Sequence, residues 1–185
     1  GLAHAVADAN SFGIPAQRGK TDWQKLVERR ERYVHKINSY WNGYVDERGI
    51  DRIQGHAKFV NANTVEVDGR CYCADHMVIA TGGRPIVPPV PGADLGISSD
   101  GFFALTEQPE RVAVVGGGYI GVELSGVLRA LGSRVTLITL EQRVLDRFDP
   151  MIGDVLGNEM RQQGIDIVTG CQVDALSRRA GGIAI

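Results

Sequence analysis

The sequence predicts an α/β fold with a parallel sheet in its C-terminal part. Residues 109–185 alternate between short apolar runs and helical patterns, in the order strand, helix, strand, helix, strand. This order is typical of parallel strands joined by right-handed crossovers. A glycine-rich turn directly follows the first of these strands, which favours a doubly wound, Rossmann-like domain. Residues 1–108 instead combine one long helical pattern with short strands and a stiff connector that holds four prolines.

The composition fits a soluble protein with one core or two small ones. The chain has 185 residues, 43% hydrophobic content and a net charge of −2. A charge so close to zero gives no electrostatic reason to expect nucleic acid or an anionic membrane as a partner. No apolar run reaches bilayer-spanning length, so we expect a cytoplasmic protein. Three cysteines are too few, and odd in number, for a secreted disulfide scaffold.

One long helix dominates the N-terminal part. We expect residues 1–18 to form a helix end and a loop, and a helix to run from Thr21 to about Gly49. Thr21 or Asp22 can cap its N-terminus, and Gly49 suits its C-terminal end. The apolar side chains of this helix recur at helical spacing, so they are predicted to pack in a core rather than to line a ligand site. They are Trp23, Leu26, Val27, Val34, Ile37, Trp41 and Tyr44.

Short strands are predicted after this helix, with a hairpin turn at residues 67–70. The predicted strands are Ile53–Val60, Thr64–Val67, Arg70–Ala74 and Met77–Ala80. Cys71 and Cys73 share one face of their strand. They could form a redox or metal pair, but no further Cys or His completes a ligand set nearby, so two small buried residues are favoured. Cys171 is also predicted to lie in the core.

The C-terminal part has a regular alternation of elements. The predicted elements are a strand at residues 111–115, a helix at Tyr119–Leu131, a strand at residues 134–139, a helix at Met151–Gln163 and a strand at Ile165–Thr169. Glycines follow both helices, as expected at helix C-termini. Residues 181–185 resemble the start of a further strand.

The glycine run GGGYIG after the first of these strands predicts a dinucleotide-binding loop. Gly116 permits a tight turn, Gly118 lets backbone approach a pyrophosphate, and Gly121 allows the helix to pack closely on the strand. The N-terminus of the helix offers free N–H groups and partial positive charge to the phosphates. Gly117 and Ile120 complete the predicted cofactor-binding positions of this loop. A glycine-rich turn without a ligand is the alternative.

The end of the second strand of this domain is the expected place for an acidic residue that binds the adenosine ribose of NAD. Thr139 occupies the predicted position, and Glu141 follows two residues later. Glu141 could reach the ribose if the strand ended later than predicted. It could equally be an exposed loop carboxylate.

Several further motifs occur in one order along nearly the whole chain. They are GHAKF at residues 55–59, ADHMVIATGG at 74–83, SDGFF at 99–103, ERVAVVGGGYIGVEL at 110–124 and RFDP at 147–150. In these motifs the chain resembles the pyridine nucleotide–disulfide oxidoreductase family, and within that family the glutathione reductases.

The resemblance implies that FAD is a cofactor. In that family the ATG segment lies against FAD, which implicates Thr81 and Gly82 here. The GHA segment approaches the adenine, which implicates His56 and Ala57. From the residues alone, these segments would be interpreted as a strand-ending turn and a surface histidine.

The resemblance also implies catalytic roles for two residues of the helix after the glycine run. Tyr119 corresponds to the residue that covers the nicotinamide pocket and moves when the cofactor enters. Glu123 matches a glutamate that lies near the flavin and pairs with a lysine. Without the resemblance, Glu123 would be an ordinary acid on a helix surface. No metal site is predicted.

Three parts of the family pattern are absent from the chain: the redox pair of cysteines, the N-terminal FAD glycine motif and the C-terminal interface domain. We therefore expect an internal fragment with parts of two Rossmann-like domains. Residues 1–108 would be the C-terminal part of an FAD-binding domain, with the long helix and a small β-meander. Residues 109–185 would be a truncated NAD(P)-binding domain. The chain alone is expected to be inactive, because it lacks the thiols that the reaction needs.

By resemblance, the whole enzyme would use NAD(P)H to reduce FAD, then a disulfide, and finally glutathione disulfide, and would be a homodimer. Dihydrolipoamide reductase, mercuric reductase and a non-catalytic dinucleotide-binding module are the alternatives. The preferred nicotinamide cofactor is also open. The positions of the two arginines that bind the 2′-phosphate in NADPH-dependent members hold Leu140 and Asp146. Gly121 replaces their usual alanine, so NADH is favoured unless Arg143 and Arg147 substitute.

Overall fold

The computed structural model describes residues 2–17 and 19–185. The chain divides into two compact units: the first 25 residues together with Pro85–Ile185, and Leu26–Arg84. These two units reflect how the residues of the chain pack. The boundary predicted between residues 108 and 109 separates the domains of the family instead, and it stays a prediction.

The first unit contains a three-stranded parallel sheet. Its strands are β4 (Arg111–Val115), β5 (Arg134–Ile138) and β6 (Asp166–Val168), in that spatial order, because β5 pairs with both neighbours. Helix α4 (Tyr119–Leu131) connects β4 to β5, and helix α5 (Pro150–Gln162) connects β5 to β6. The predicted α/β class and parallel sheet are confirmed.

The core of this unit lies where the central strand meets the two helices. Val135 and Leu137 point inward from β5 and are almost completely buried. Leu128 of α4, Met160 of α5 and Ile165 are buried as well. Burial of this kind stabilises a fold by roughly 1.5–3 kcal/mol for each large aliphatic side chain.

Residues near the helix ends explain where the helices begin and stop. The Asp149 side chain accepts a hydrogen bond from the Met151 N–H at 2.9 Å, and proline follows at the first helical position of α5. Gly132 ends α4 in the left-handed conformation, with φ of 109°. Thr21 and Gln108 both donate side-chain hydrogen bonds to the carbonyl of Leu131, which satisfies this helix end.

The remaining elements of the first unit are short. They are α1 (Leu2–Ala9), the first turn of α2 (Trp23–Glu47), α3 (Ser99–Phe103), the antiparallel pair β7 (Ser177–Arg179) and β8 (Gly182–Ala184), and 3₁₀ turns at Asn10–Phe12 and Ala93–Leu95. Asp22 caps α2 by accepting from the Lys25 N–H at 3.0 Å. Trp23 is buried, and its indole N–H donates to the Leu105 carbonyl at 3.0 Å. The strand suggested by residues 181–185 is present as β8.

The second unit contains the rest of α2 and an antiparallel meander of β1 (Lys58–Asn61), β2 (Thr64–Val67) and β3 (Arg70–Cys73). Asp68 and Gly69 both have positive φ, 49° and 79°, as a two-residue hairpin turn requires. The turn predicted at residues 67–70 is therefore confirmed.

Two predicted strands of this unit are wrong or too long. Residues 53–57 are irregular, so only the end of the predicted Ile53–Val60 strand forms. Met77–Ala80 is not a strand, and Val78 is 91% exposed. An apolar run becomes a strand only when a neighbouring strand accepts its hydrogen bonds, and none of the described strands pairs with either segment.

Most of the α2 side chains that were predicted to pack in a core are exposed or only partly buried. Trp23 is buried, but Leu26, Val34, Ile37 and Trp41 are 37–55% exposed. Helical periodicity identifies which face of a helix is apolar, but it does not show that the same chain covers that face.

The three thiols predicted to be buried are exposed instead. Cys71 and Cys73 lie on β3, an edge strand of a small sheet, and Cys171 lies in the segment that follows β6. A small sheet leaves its edge strand open to solvent. Among the described residues, no group of three or more His, Cys, Asp or Glu could hold a metal ion. Within residues 2–17 and 19–185, no helix has both the length and the apolar character needed to cross a membrane.

Candidate functional site

The glycine run connects the end of β4 to the start of α4 in the first unit. Gly116 has φ of 114°, a conformation that favours glycine, and its N–H donates to the Ile138 carbonyl at 2.8 Å. Gly118 is the N-cap residue of α4, with extended backbone, and no side chain caps this helix. The first N–H groups of α4 therefore remain available to an anion, as a pyrophosphate site requires.

Gly121 allows α4 to approach the strand closely, as its position in the motif predicts. A Cβ atom at this position would come within 3.0 Å of the Gly116 carbonyl oxygen, closer than real Cβ atoms come to backbone. A Cβ at Gly118 would instead meet nothing within 4 Å. Gly121 is thus needed for packing, whereas Gly118 leaves open space in front of the helix N-terminus.

Gly117 faces the end of the neighbouring strand β5. A Cβ at Gly117 would lie 2.7 Å from Oγ1 of Thr139, so only glycine fits without moving that side chain. The Gly117 carbonyl accepts a hydrogen bond from the Leu145 N–H at 2.7 Å. The loop after β5 is thereby attached to the glycine run.

Thr139 and Glu141 form a hydrogen-bonded pair at this point. Thr139 is 1% exposed, and its hydroxyl donates to a carboxylate oxygen of Glu141. The main chain is held by two further hydrogen bonds, from Gly170 N–H to the Glu141 carbonyl at 3.0 Å and from Cys171 N–H to the Thr139 carbonyl at 3.1 Å. Glu141 therefore lies next to the glycine run, separated from Gly117 by Thr139.

The surroundings of Glu141 favour its charged form. The hydrogen bond from Thr139 lowers the pKa of the Glu141 carboxyl most, followed by its own backbone N–H. Partial desolvation raises this pKa and the positive charge of Arg147 lowers it, and the net effect is a pKa below the ordinary value of 4.5. The carboxylate is thus ionised at neutral pH and can accept hydrogen bonds from hydroxyl groups.

The side chains that could bind a 2′-phosphate are poorly arranged for it. Leu140 is 62% exposed and offers no charge. Arg143 lies 3.8 Å from a carboxylate oxygen of Asp146 and 3.8 Å from one of Asp154. A cavity of about 310 Å³ lies beside Arg143, but its lining includes Asp154. Arg143 is thus already shared between two acids.

Tyr119, Ile120 and Glu123 lie in the first two turns of α4. Tyr119 is 58% and Ile120 is 45% exposed, and Glu123 is exposed as well. Tyr119 and Glu123 are four residues apart, so they share one face of the helix. Their roles beside a nicotinamide and a flavin stay predictions.

The other four predicted cofactor residues belong to the second unit. His56 and Ala57 lie in the irregular segment before β1, and Thr81 and Gly82 lie in the extended segment after β3. All four are exposed, and Gly82 has φ of 71°. Their contact with FAD stays a prediction.

The Thr139–Glu141 hydrogen bond is not among the features that the sequence predicts. From the sequence, Thr139 is only the residue that occupies the expected acidic position. A threonine at the end of a strand with an acid two residues later is the pattern that could have indicated it, since short hydroxyl side chains often bond to nearby groups of their own loop.

Comparison with known proteins identifies the family. The sequence profile described as "Pyridine nucleotide-disulphide oxidoreductase" matches residues 2–184. The chain belongs to this family. The family resemblance that the motifs indicate is therefore confirmed. At the level of the family, the expectation of flavoprotein oxidoreductases that use a pyridine nucleotide is confirmed as well.

The similar proteins are larger than this chain. A glutathione reductase from Yarrowia lipolytica is 37% identical over 98% of the chain and 42% of its own length. One from Schizosaccharomyces pombe is 40% identical over 91% of the chain and 38% of its own length. The solved HOCl-induced flavoprotein disulfide reductase RclA from Escherichia coli has a TM-score of 0.77 and 29% identity, covering 98% of the chain and 40% of its own. The chain thus spans about two fifths of these relatives.

Proposed function

We propose that the first unit binds a nicotinamide dinucleotide, with its pyrophosphate at the N-terminus of α4 and its adenosine ribose at Glu141. The observation that supports this proposal is that three features lie close together. The uncapped helix end, the open space at Gly118 and an ionised carboxylate at the end of the neighbouring strand all lie around one glycine run. Gly116, Gly117, Gly118, Ile120 and Gly121 form that run.

The protein that contains this chain is proposed to be an FAD-dependent disulfide reductase that oxidises NADH or NADPH. The similarity to glutathione reductases supports glutathione disulfide as the substrate. Bound FAD would accept the hydride and pass electrons to a disulfide. Thr81, Gly82, His56 and Ala57 would hold FAD, while Tyr119 would cover the nicotinamide and Glu123 would lie near the flavin. These assignments rest on the family resemblance.

The domain assignment, the location and the assembly are part of the same proposal. Residues 1–108 would belong to an FAD-binding domain and residues 109–185 to an NAD(P)-binding domain. The whole protein would be a cytoplasmic homodimer. This chain by itself would bind dinucleotide without turnover.

A different disulfide substrate is the second candidate. One similar solved structure, RclA, is named as an HOCl-induced flavoprotein disulfide reductase rather than as a glutathione reductase. The deciding assay compares NAD(P)H oxidation by the flavin-loaded whole protein in the presence of glutathione disulfide, lipoamide or no disulfide. Oxidation that depends on glutathione disulfide supports the first candidate. A colourless whole protein without flavin would contradict both and favour a dinucleotide-binding module.

Dinucleotide binding can be tested with Gly118→Ala. The new Cβ enters open space, so the thermal unfolding midpoint should not fall, but it occupies the place of the pyrophosphate and should weaken NADH binding at least tenfold. Gly126→Ala, in the middle of α4, is the matched control, because it also enters open space but lies away from the loop. Equal NADH affinity of the Gly118→Ala variant and the unchanged chain would refute the site.

A further inference from the structure

The carboxylate at this site is held in an unusual way for a ribose-binding acid. In dinucleotide-binding domains the acid stands at the end of the second strand. Here that place is taken by Thr139, which is buried, and the acid follows two residues later in an exposed loop. An exposed glutamate with free torsions would sample many positions and lose entropy when it binds a ligand.

The contacts of Thr139 remove this freedom. Its hydroxyl donates to one carboxylate oxygen of Glu141, and the side chain is enclosed, at 1% exposure, against the Gly117 backbone. The Glu141 N–H also bonds to its own carboxylate. Because a carboxylate has about four acceptor positions, these two bonds leave others for the vicinal hydroxyls of a ribose.

We propose that Thr139 is a positioning residue that fixes the Glu141 carboxylate beside the glycine run, and that this pair makes the site select dinucleotides with a free ribose 2′-hydroxyl over those with a 2′-phosphate. The inference rests on the proposed dinucleotide site. A fixed carboxylate accepts hydrogen bonds from a hydroxyl, whereas it repels a phosphate at the same place.

Two variants of Thr139 separate its hydroxyl from its bulk. Thr139→Val keeps the shape and removes the donor, while Thr139→Ser keeps the donor. Thr136→Val, on the same strand, controls for the general effect of such a change. NADH and NADPH are titrated separately into each protein, and the ratio of the two dissociation constants is the readout.

We expect the unchanged chain to bind NADH at least tenfold more tightly than NADPH. Thr139→Val should weaken NADH binding by about three- to tenfold, the effect of one hydrogen bond, with little change for NADPH. Thr139→Ser and Thr136→Val should keep the original ratio. A Thr139→Val variant with the original ratio overturns the inference, as does tighter binding of NADPH by the unchanged chain.

A measurement without any dinucleotide completes the test. The pKa of Glu141, followed by its side-chain NMR shift, should rise in Thr139→Val towards the ordinary value, while the attraction to Arg147 persists. An unchanged pKa would show that the hydrogen bond does not hold the carboxylate, and the inference fails. If no variant and no unchanged chain binds either dinucleotide, the proposed function fails and the selectivity claim fails with it. If Gly118→Ala lost the discrimination between NADH and NADPH while Thr139→Val kept it, the role of Thr139 would be refuted and the dinucleotide site would not.

Discussion

Replacement of Gly121 by alanine tests whether the close approach of α4 to the glycine run is a requirement of the fold. Alanine is the better helix former by about 1 kcal/mol, so an unobstructed exchange inside a helix should stabilise the protein. At Gly121 the new Cβ would come within 3.0 Å of the Gly116 carbonyl oxygen, which is a backbone atom and cannot rotate away. Either the loop or the helix must move by about 1 Å, and such overpacking costs about 1–3 kcal/mol.

Gly126→Ala provides the matched measurement in the same helix. Its Cβ meets nothing within 4 Å, so it should raise the free energy of unfolding by about 1 kcal/mol. Gly121→Ala should leave that free energy unchanged or lower it by up to about 2 kcal/mol, so the two variants should differ by about 1–3 kcal/mol. Urea unfolding followed by circular dichroism measures this difference directly.

The same displacement should be visible in ligand binding. The Gly116 carbonyl belongs to the loop that would surround the pyrophosphate, and misplacement by about 1 Å at such a site can cost on the order of a hundredfold in function. NADH affinity should therefore fall in Gly121→Ala and persist in Gly126→Ala. If Gly121→Ala were as stable as Gly126→Ala and bound NADH as well as the unchanged chain, the packing argument would be wrong.

Four other predictions concern stability. Ser125 is completely buried, and its hydroxyl has no hydrogen-bond partner among the described residues, so Ser125→Ala should stabilise the protein by about 1 kcal/mol in chemical unfolding. Ser133 is equally buried but donates to the Pro109 carbonyl at 2.7 Å, so Ser133→Ala should destabilise by about 1–3 kcal/mol, and equal effects of the two exchanges would count against this reasoning. Because the pKa of Glu141 is lowered in the folded chain, its stabilising contribution is complete above the ordinary value of 4.5 and disappears as the pH falls through the lowered value. The stability difference between the unchanged chain and Glu141→Gln should accordingly shrink only in acid, and a constant difference across that range would contradict the shift. Trp23→Phe should lower the unfolding free energy by about 1–3 kcal/mol, since it leaves the Leu105 carbonyl without its donor, and thermal unfolding would show no change if that bond were unimportant.

The sequence predicts most of what depends on neighbouring residues along the chain. The boundaries of α4 agree with the prediction because a glycine run precedes this helix and Gly132 ends it. The hairpin turn at Asp68 and Gly69 also agrees with the prediction, because its residue types suit positive φ. Local preferences and the tertiary structure point to the same conformation at these places.

The wrong predictions concern residues whose pairing or burial depends on a partner that is far away in the sequence. The run Met77–Ala80 and the face of α2 that contains Trp41 are apolar, and a pattern of apolar residues shows what favours burial rather than what covers it. The same limit applies to the site. The glycine positions were predictable from spacing, but the contact between Gly117 and Thr139 joins two strands and depends on a side-chain rotamer.

The proposed preference for NADH would depend on the whole loop after β5 as well as on the Thr139–Glu141 pair. Residues 140–149 carry the acids Glu141, Asp146 and Asp149 against Arg143 and Arg147, three negative charges against two positive ones. A 2′-phosphate would add charge of the same sign, and Arg143 could meet it only by leaving two carboxylates that lie 3.8 Å away. A ribose hydroxyl needs only an acceptor, which Glu141 provides in an already fixed position. Adding an arginine at Leu140 alone should therefore not convert the site to NADPH, because the acids that repel the phosphate would remain.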